Sequence, residues 1–341
     1  MKVIKLFTPL IIICLLMFIP LLFPSPFLLH LLITIFLYGI VCESWDLSMG
    51  YLGLFNFGHL AFFAIGAYSS GMLALYYDIS PWIAMIVSSI ITFILGLLIS
   101  LVTLRASEFA FSLISFAFQS MFMYWVRSGG GPAPGEFGIG GTTLTGGTQG
   151  LGAKFAIPPF NLGSIIIRAG ANKIPAYYLT AIIFVVVTCA MYLLVNSRFG
   201  LATVALRDSK TYAISRGINP LTYTAIFISI STFFAGMAGS LYVHLMGVVG
   251  PEIIGWSNVV IMCCIVEFGG LGTIFGPAAA SFLLISLTYY LAGLSAYKNI
   301  IIALIMLFTL LIWPTGMAGA ASWFKSRYLN RKRGEKRRGG V

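Results

Sequence analysis

Ten apolar segments, each 12 to 25 residues long, follow one another between residues 6 and 313. A helix needs about 20 apolar residues to cross the hydrocarbon core of a bilayer. A series of such segments is typical of a chain that crosses the membrane many times. The segments are residues 6–23, 27–42, 52–76, 81–103, 109–126, 176–195, 221–243, 257–268, 277–293 and 298–313. The sequence therefore predicts an all-α, polytopic integral membrane protein with about ten, or eight to ten, transmembrane helices.

The composition of the chain excludes several other classes of protein. Hydrophobic residues make up 59% of the chain and charged residues 9%, against about 25% charged residues in an ordinary soluble domain. So few charges cannot cover the surface of a soluble enzyme or keep a chain disordered. The five cysteines lie in or beside apolar segments and lack zinc-type spacing. This placement argues against a metal site or a disulfide scaffold.

The distribution of positive charge predicts the orientation, because cytoplasmic loops of membrane proteins carry an excess of Lys and Arg. With the N-terminus in the cytoplasm, seven basic residues before the tail and eight within it lie inside, and the other five of the twenty lie outside. Lys2 and Lys5 precede an apolar run, as in a signal peptide, but no small-residue cleavage site follows. We therefore expect an uncleaved first span and cytoplasmic N- and C-termini.

The chain divides into one transmembrane domain, residues 1–324, and a basic tail, residues 325–341. The tail contains eight basic residues and one acidic residue. We expect it to lie in the cytoplasm and to contact anionic lipid. A nucleic-acid-binding arm is the alternative, but the sequence gives no sign of a folded nucleic-acid-binding domain beside the tail.

Two connections between apolar segments are long. Residues 127–175 are predicted to form an external loop, because they are rich in glycine and proline. Residues 196–220 are polar and internal in the same topology. Their pattern favours an amphipathic helix from Leu201 to Ser215 that ends at Gly217, a natural C-terminal cap.

Two apolar segments have the features of broken or tilted helices. Residues 52–76 are long and rich in glycine, and residues 257–268 are short. Broken helices are common in transporters, where irregular backbone lines a cavity. Residues 50–63 (GYLGLFNFGHLAFF) also resemble residues 269–280 (GGLGTIFGPAAA). This similarity suggests a duplicated half, although glycine-rich membrane segments also resemble one another by chance.

The sequence lacks the motifs of an enzyme. No G-x-x-x-x-G-K-[ST] motif is present, so the chain has no P-loop for ATP hydrolysis. Three histidines and nine acidic residues provide little material for catalysis. A stand-alone channel or secondary carrier is the other alternative, but it would need ion-coordinating groups within the spans, which are nearly absent.

An ordered set of motifs resembles the LivM-type permease subunits of branched-chain amino acid ABC importers. RFGLATVALRDSK, GINP and FFAGMAG match the inner loop and the span that follows it. GYLGLFNFGHLAFFAIGAY, LTGGTQGL and EFGGLGTIFGP match three further places, and the whole match runs from about residue 38 to residue 316. The resemblance implies import of leucine, isoleucine and valine. A subgroup of the family transports urea and short amides, and this substrate class stays open.

The resemblance also implies partners. Two cytoplasmic ABC ATPase subunits would hold ATP and Mg²⁺, so this chain would bind no cofactor of its own. A second, LivH-like permease subunit would pair with it, and an extracytoplasmic binding protein would deliver the substrate. The assembly would lie in the lipid bilayer of a bacterial or archaeal cell membrane, without nucleic acid.

In the inner loop, the resemblance assigns the residues that couple transport to the ATPases. These are Arg198, Phe199, Gly200, Ala205, Arg207, Asp208, Ala213 and Gly217. A plain solvated loop with topology-setting arginines is the alternative. Family members often carry an acid directly after the Arg-Asp pair, where this chain has Ser209 followed by Lys210. That difference puts in doubt a specific salt bridge to the ATPase at this point.

Several intramembrane residues are candidates for the translocation pathway. Polar groups at membrane depth are costly and therefore face protein or water. The candidates are Asn56, Gly58 and His59, a third of the way into the third span, and Gly269, Gly270, Gly272 and Gly276 after Glu267. The alternatives are an interhelical hydrogen bond for the first group and helix packing for the second. No role is assigned to Glu267.

Three further groups have simpler expected roles. Gly236 and Gly239 share one face of a helix and are predicted to form a helix interface. Glu43 and Asp46 flank Trp45 at the inner end of the second span, which is typical of an interfacial anchor. An alternative for these three is contact with a partner subunit. Thr145, Gly146, Gly147 and Gly150 are expected to shape an outer vestibule, or else a turn-rich loop.

Overall fold

A computed structural model describes the fold over most of the chain. The described residues are 20, 25–103, 107–132, 143–152, 160–162, 165–167, 173–294, 297–312 and 316–317. The predicted first span, residues 6–23, lies outside the described residues apart from residue 20, and so does the predicted tail, residues 325–341.

The described part of the chain forms eleven α-helices and four very short strands. The helices are α1 Pro26–Asp46, α2 His59–Tyr76, α3 Pro81–Thr103, α4 Glu108–Arg127, α5 Lys173–Asn196, α6 Arg198–Asp208, α7 Lys210–Ser215, α8 Pro220–Met246, α9 Trp256–Gly269, α10 Phe275–Tyr290 and α11 Tyr297–Ile312. Among the described residues, seven helices are long and apolar enough to cross a membrane, namely α1, α2, α3, α4, α5, α8 and α10. The prediction of an all-α polytopic membrane protein is confirmed.

Local sequence signals account for where several helices begin and end. Pro26 and Pro220 occupy the first turn of α1 and α8, where a missing N–H costs nothing. The Ser107 hydroxyl accepts a hydrogen bond from the Ala110 N–H at 3.3 Å and caps α4. Helix α8 stops at Gly247, whose φ of +73° lies in the left-handed region.

Helix α1 lies at the centre of the bundle and packs against α5, α8, α9 and α10. Phe36 on α1 is fully buried, and its ring lies 5.2 Å from Phe184 on α5 and 5.6 Å from Phe282 on α10. By contrast, α3 and α4 lie at the edge and expose many large apolar side chains. A bilayer would cover those side chains, so the exposed apolar surface is what a membrane protein requires.

Three of the short strands lie within residues 127–175, the predicted external loop, and the fourth lies in the connection after α8. Strand β1 (Leu151–Gly152) pairs antiparallel with β4 (Val248–Val249), with Leu151 opposite Val249. Strand β2 (Phe160–Leu162) pairs antiparallel with β3 (Ile165–Ile167). The first pair joins the connection after α4 to the connection after α8, so both connections lie at one end of the bundle.

Helix α8 makes close contacts with α2 and α3 through small residues. A Cβ on Gly66 of α2 would overlap the backbone of Gly236, and one on Gly239 would overlap the backbone of Phe63. The Thr232 hydroxyl donates to the Thr92 carbonyl on α3 at 3.1 Å. Gly236 and Gly239 therefore lie where three helices of this subunit meet.

Candidate functional site

Two glycine-rich loops meet at the end of the bundle opposite the β1–β4 pair. The first glycine loop, residues 50–58, joins α1 to α2, and the second, residues 269–276, joins α9 to α10. A Cβ on Gly50 would overlap the backbone nitrogen of Gly272. Glycine is therefore required at position 50, because the two loops approach each other to backbone contact.

The two loops also share one backbone feature. Each contains Gly-x-Leu-Gly, and the last glycine of each motif, Gly53 or Gly272, has a positive φ, +74° and +75° respectively. A transmembrane helix follows each loop, starting at His59 or at Phe275. The faint sequence repeat therefore marks two loops that contact each other and that each contain a left-handed glycine at the end of the motif.

Asp46 bonds the end of α1 to the second glycine loop. Its Oδ1 atom accepts a hydrogen bond from the Gly272 N–H at 2.9 Å, and its side chain is fully buried. Glu43 and Trp45 are also fully buried. The prediction of an interfacial anchor is wrong for all three residues, because α1 is a central helix surrounded by other helices.

Glu43 bonds α1 to α5. The Thr188 hydroxyl lies 3.0 Å from Oε1 and 2.8 Å from Oε2 of Glu43, and it donates to this carboxyl group. The sequence analysis missed Thr188. A threonine on an apolar helix carries no local sign of its partner, which lies 145 residues away.

Asn56, Gly58 and His59 lie at the start of α2 and not a third of the way into a span. Helix α1 continues as a π-helical turn, Leu47–Tyr51, and α2 begins only at His59. The Asn56 Oδ1 atom accepts from the Gly58 N–H at 3.0 Å and so forms a turn before the helix. The expectation of a broken or tilted helix over residues 52–76 is therefore confirmed, because this Asn-x-Gly turn and Gly53 interrupt the segment before α2 begins.

His59 is bonded within the bundle and does not face open space. Its Nε2 atom lies 2.9 Å from the Ser44 hydroxyl, and its ring stacks on Trp45 with 5.4 Å between ring centroids. The Ser231 hydroxyl on α8 donates to the Ser44 carbonyl at 2.5 Å. This arrangement has the geometry of the alternative interpretation, a buried interhelical hydrogen bond.

The predicted internal loop forms two short helices, α6 and α7, instead of one. Ser209 separates them with an extended backbone, φ −158° and ψ 99°, and its hydroxyl accepts from the Tyr212 N–H at 3.4 Å. The prediction of one helix from Leu201 to Ser215 is therefore wrong, since Ser209 acts as a new N-cap. The structure places Gly217 after α7, with a φ of +83°.

Helix α6 packs on the bundle at its start. Gly200 is buried, and a Cβ there would overlap the carbonyl oxygens of Leu194 and Val195 at the end of α5. The Phe199 ring stacks on Tyr223 of α8 with 5.0 Å between centroids. The α5–α6 corner and this aromatic pair therefore hold the first turn of α6.

Arg207, at the end of α6, reaches the first glycine loop. Its Nη1 atom donates to the Gly50 carbonyl at 2.5 Å, and its Nη2 atom lies 2.8 Å from Oδ1 of Asp208. The structure thus brings together three separate parts of the chain, namely Arg207, Gly272, and the end of α1 with Asp46 and Gly50. Of these, the sequence analysis had identified Arg207 and Gly272 as functional residues.

The other predicted coupling residues differ in exposure. Ala205 is half-buried, and Ala213 is fully buried. The outer face of α6 and α7 exposes charged and large apolar side chains together. The exposed residues are Arg198, Leu201, Arg207, Asp208, Lys210, Tyr212, Ile214 and Arg216. A mixed surface of this kind at the end of a membrane bundle is suited to contact with another protein.

A cavity of about 660 Å³ lies between α6, the end of α5 and the second glycine loop. Its wall includes Leu201 and Val204 of α6, Tyr192 of α5, and Gly269 and Phe275. The cavity therefore separates the Leu201 and Val204 side of α6 from the second glycine loop.

The remaining predicted pathway residues form part of the loop backbone. Gly270 follows α9 with a φ of +100°, and a Cβ on Gly269 would overlap the backbone of Gly276. At the opposite end, the Thr145 hydroxyl donates to the Val126 carbonyl at 2.7 Å. A Cβ on Gly150 would overlap the Val249 carbonyl, so this predicted vestibule segment is a turn closely packed on strand β4.

Buried helix breaks, paired glycine loops and an exposed helix pair at one end define a multi-pass membrane protein of the transporter class. Residues 27–310 match the family described as branched-chain amino acid transport system / permease component. The chain belongs to this family and is a permease of the LivM type.

Two curated relatives have similar sequences. The high-affinity branched-chain amino acid transport system permease proteins LivM of Escherichia coli (strain K12) and of Salmonella typhimurium (strain LT2) are each 24% identical to this chain over 298 residues. The match covers 82% of this chain and 67% of each relative. No solved structure shows significant similarity to the chain.

Proposed function

We propose that this chain is the transmembrane permease subunit of an ABC importer for branched-chain amino acids. The family match and the two LivM relatives support this substrate class. The single observation that carries the mechanism is the position of α6, which exposes charged residues on one side and bonds to the first glycine loop on the other. Urea and short amides form the alternative substrate class.

The proposed assembly contains partners that supply the energy and the substrate. Two cytoplasmic ATPase subunits would bind ATP and Mg²⁺ and would contact the exposed face of α6 and α7. A LivH-like permease would pack against this subunit, and an external binding protein would deliver the substrate to the end that carries β1 and β4. This chain would bind no cofactor itself and would perform no chemistry.

The proposed topology has ten spans, with both termini in the cytoplasm of a bacterial or archaeal cell. Residues 1–324 would form the permease domain and residues 325–341 a basic cytoplasmic tail. The fifteen-to-five distribution of basic residues supports this orientation. In it, the internal loop, residues 196–220, is cytoplasmic and residues 127–175 are external.

Single cysteines at two exposed positions test the orientation. In a cysteine-free background, we expect Gly152→Cys to react with a membrane-impermeant maleimide in intact cells. Ser215→Cys should react only after the cells are permeabilised, because α7 is predicted to face the cytoplasm. Gel shift with a maleimide-linked polymer measures both reactions. The opposite labelling pattern would reverse the proposed topology.

Purification from native membranes tests the proposed function. We expect the tagged chain in mild detergent to retain two ATPase subunits and a second permease, identified by mass spectrometry. Reconstituted complex should take up labelled leucine in the presence of ATP and the binding protein, and labelled urea serves as the competing substrate. Uptake by this chain alone, without ATP, would instead indicate a channel or secondary carrier.

A further inference from the structure

We propose that Arg207 and Asp46 are positioning residues that tie helix α6 to both glycine loops. Movement of α6 would then be passed at once to the inner ends of α1, α2, α9 and α10. This inference rests on the proposed function, because it assigns to Arg207 a contact within the subunit that transmits the action of the ATPases.

The orientation of the Arg207 side chain is the first observation. Its Nη1 atom donates to Gly50 at 2.5 Å, while its Nε and Nη2 atoms bond to Asp208 at 3.0 and 2.8 Å. The planar guanidinium group can hold several acceptors in fixed directions. Its side chain is 36% exposed, against 62% for Asp208. Both side chains are partly exposed and bond to each other, but only Arg207 also bonds to the first glycine loop.

The position of Arg207 between equivalent glycines is the second observation. The Arg207 Cγ atom lies 3.0 Å from the place that a Cβ would occupy on Gly53. Its Nη1 atom lies 3.5 Å from the corresponding place on Gly272. The Arg207 side chain therefore lies beside the last glycine of both motifs, and a Cβ on Gly53 would crowd it.

Asp46 completes the connection between the loops. Its carboxyl oxygen holds the Gly272 N–H at 2.9 Å, and Gly50 lies one helical turn after it. A side chain on Gly50 would strike both Asp46 and Gly272. Arg207, the Gly50 backbone, Asp46 and Gly272 thus form one continuous set of contacts from α6 to the second glycine loop.

The surroundings of α6 favour transmission through this set of contacts. Phe199 packs on Tyr223 at the start of the helix, whereas Leu201 and Val204 border the cavity of about 660 Å³. A helix that is held at its start and borders a cavity along one side can tilt. The C-terminal end of α6 can move the glycine loops only through contacts at that end of the helix. Arg207 makes such a contact with Gly50.

The test uses the assembled complex with full-length variants of this chain. In Arg207→Gln, we expect retention of the ATPase subunits and of basal ATP hydrolysis, with uptake per ATP hydrolysed reduced about tenfold, as for a typical coupling between two sites. Arg207→Lys keeps a positively charged donor group but loses the planar guanidinium. It should give an intermediate ratio of uptake to ATP hydrolysis. Asp46→Asn keeps the acceptor for Gly272 and should retain most uptake, whereas Asp46→Ala should lose it.

Arg127→Gln is the matched control, because it removes an exposed arginine at the opposite end of the bundle. Its ratio of uptake to ATP hydrolysis should equal that of the wild type. An unchanged ratio in Arg207→Gln would overturn the proposal. Loss of the ATPase subunits from that variant would also overturn it, since Arg207 would then be a docking residue.

Hydrogen exchange of the wild-type complex tests the same inference without a substitution. Addition of a non-hydrolysable ATP analogue should change exchange in α6 and in both glycine loops together. A change in hydrogen exchange confined to α6 would contradict the proposed connection between α6 and the glycine loops. Failure of the proposed function has a different signature, because the wild-type chain itself would then retain no ATPase.

Discussion

Replacement of Gly66 by valine is expected to prevent correct assembly of the helix bundle. A Cβ at this position would overlap the carbonyl group and the Cα atom of Gly236 on the neighbouring helix. Overpacking a protein core costs about 1–3 kcal/mol even where side chains can adjust. Here the obstacle is backbone, so we expect the cost to reach or exceed that range. Size-exclusion chromatography of a fluorescent fusion and the melting temperature measure the effect.

Gly293→Ala is the matched control for this prediction. Nothing lies within 4 Å of a Cβ at Gly293, and its φ is not positive. We expect this variant to elute and melt like the wild type. A Gly66→Val protein with wild-type yield and melting temperature would show that α2 and α8 do not meet at Gly66 and Gly236.

Replacement of Thr188 by valine is expected to destabilise the protein by removing the hydrogen bond between α5 and α1. The Thr188 hydroxyl bonds to a Glu43 carboxyl group that has no exposure to solvent. A buried polar group that loses its partner costs about 1–3 kcal/mol. Valine has nearly the same shape as threonine, so the loss reflects the hydrogen bond. The melting temperature of the purified protein measures it.

Thr288→Val provides the comparison, because the Thr288 hydroxyl bonds only to a carbonyl of its own helix, Leu284 at 2.7 Å. We expect a smaller loss of stability in that variant. Glu43→Gln keeps an oxygen acceptor and should be less damaging than Glu43→Ala. Equal melting temperatures for Thr188→Val and Thr288→Val would contradict a stabilising role for the α1–α5 bond.

The predictions for Gly66 and Thr188 concern packing within the helix bundle. The proposed connection through Arg207 concerns the inner end of the bundle. Gly66 and Thr188 hold α8 and α5 against their neighbours, and substitution there should reduce folded protein. Arg207 lies at the surface end of the bundle, and its substitution should change the coupling of uptake to ATP hydrolysis. Measurement of stability alongside transport therefore separates the two kinds of effect.

Much of the fold follows from local sequence. The segment predicted at residues 81–103 is the helix Pro81–Thr103, and the segment at 109–126 is Glu108–Arg127. Apolar length, a proline at a first turn and a serine cap suffice to locate such helices. The third segment, residues 52–76, was expected to be a broken or tilted helix, and the Asn56 turn and Gly53 place the break before His59.

The candidate site was less predictable. Resemblance to a family identified Arg207, the glycine-rich segment after Glu267 suggested Gly272, and the Gly-x-Leu-Gly repeat marked both loops. Neither indicated that the loops touch or that Arg207 lies between them. Asp46 was interpreted as an interfacial residue, because an acid beside a tryptophan at a helix end is usually one. Its burial depends on helices far away in the chain.

The class of protein and the positions of most of the helices follow from the sequence alone, because each depends on hydropathy and backbone preference within a short stretch. Which buried polar groups meet depends instead on how the helices pack. Asp46 and Gly272 are separated by 226 residues, and Gly50 and Arg207 by 157. Contacts between residues so far apart in the sequence depend on how the helices pack, and local sequence patterns do not predict that packing.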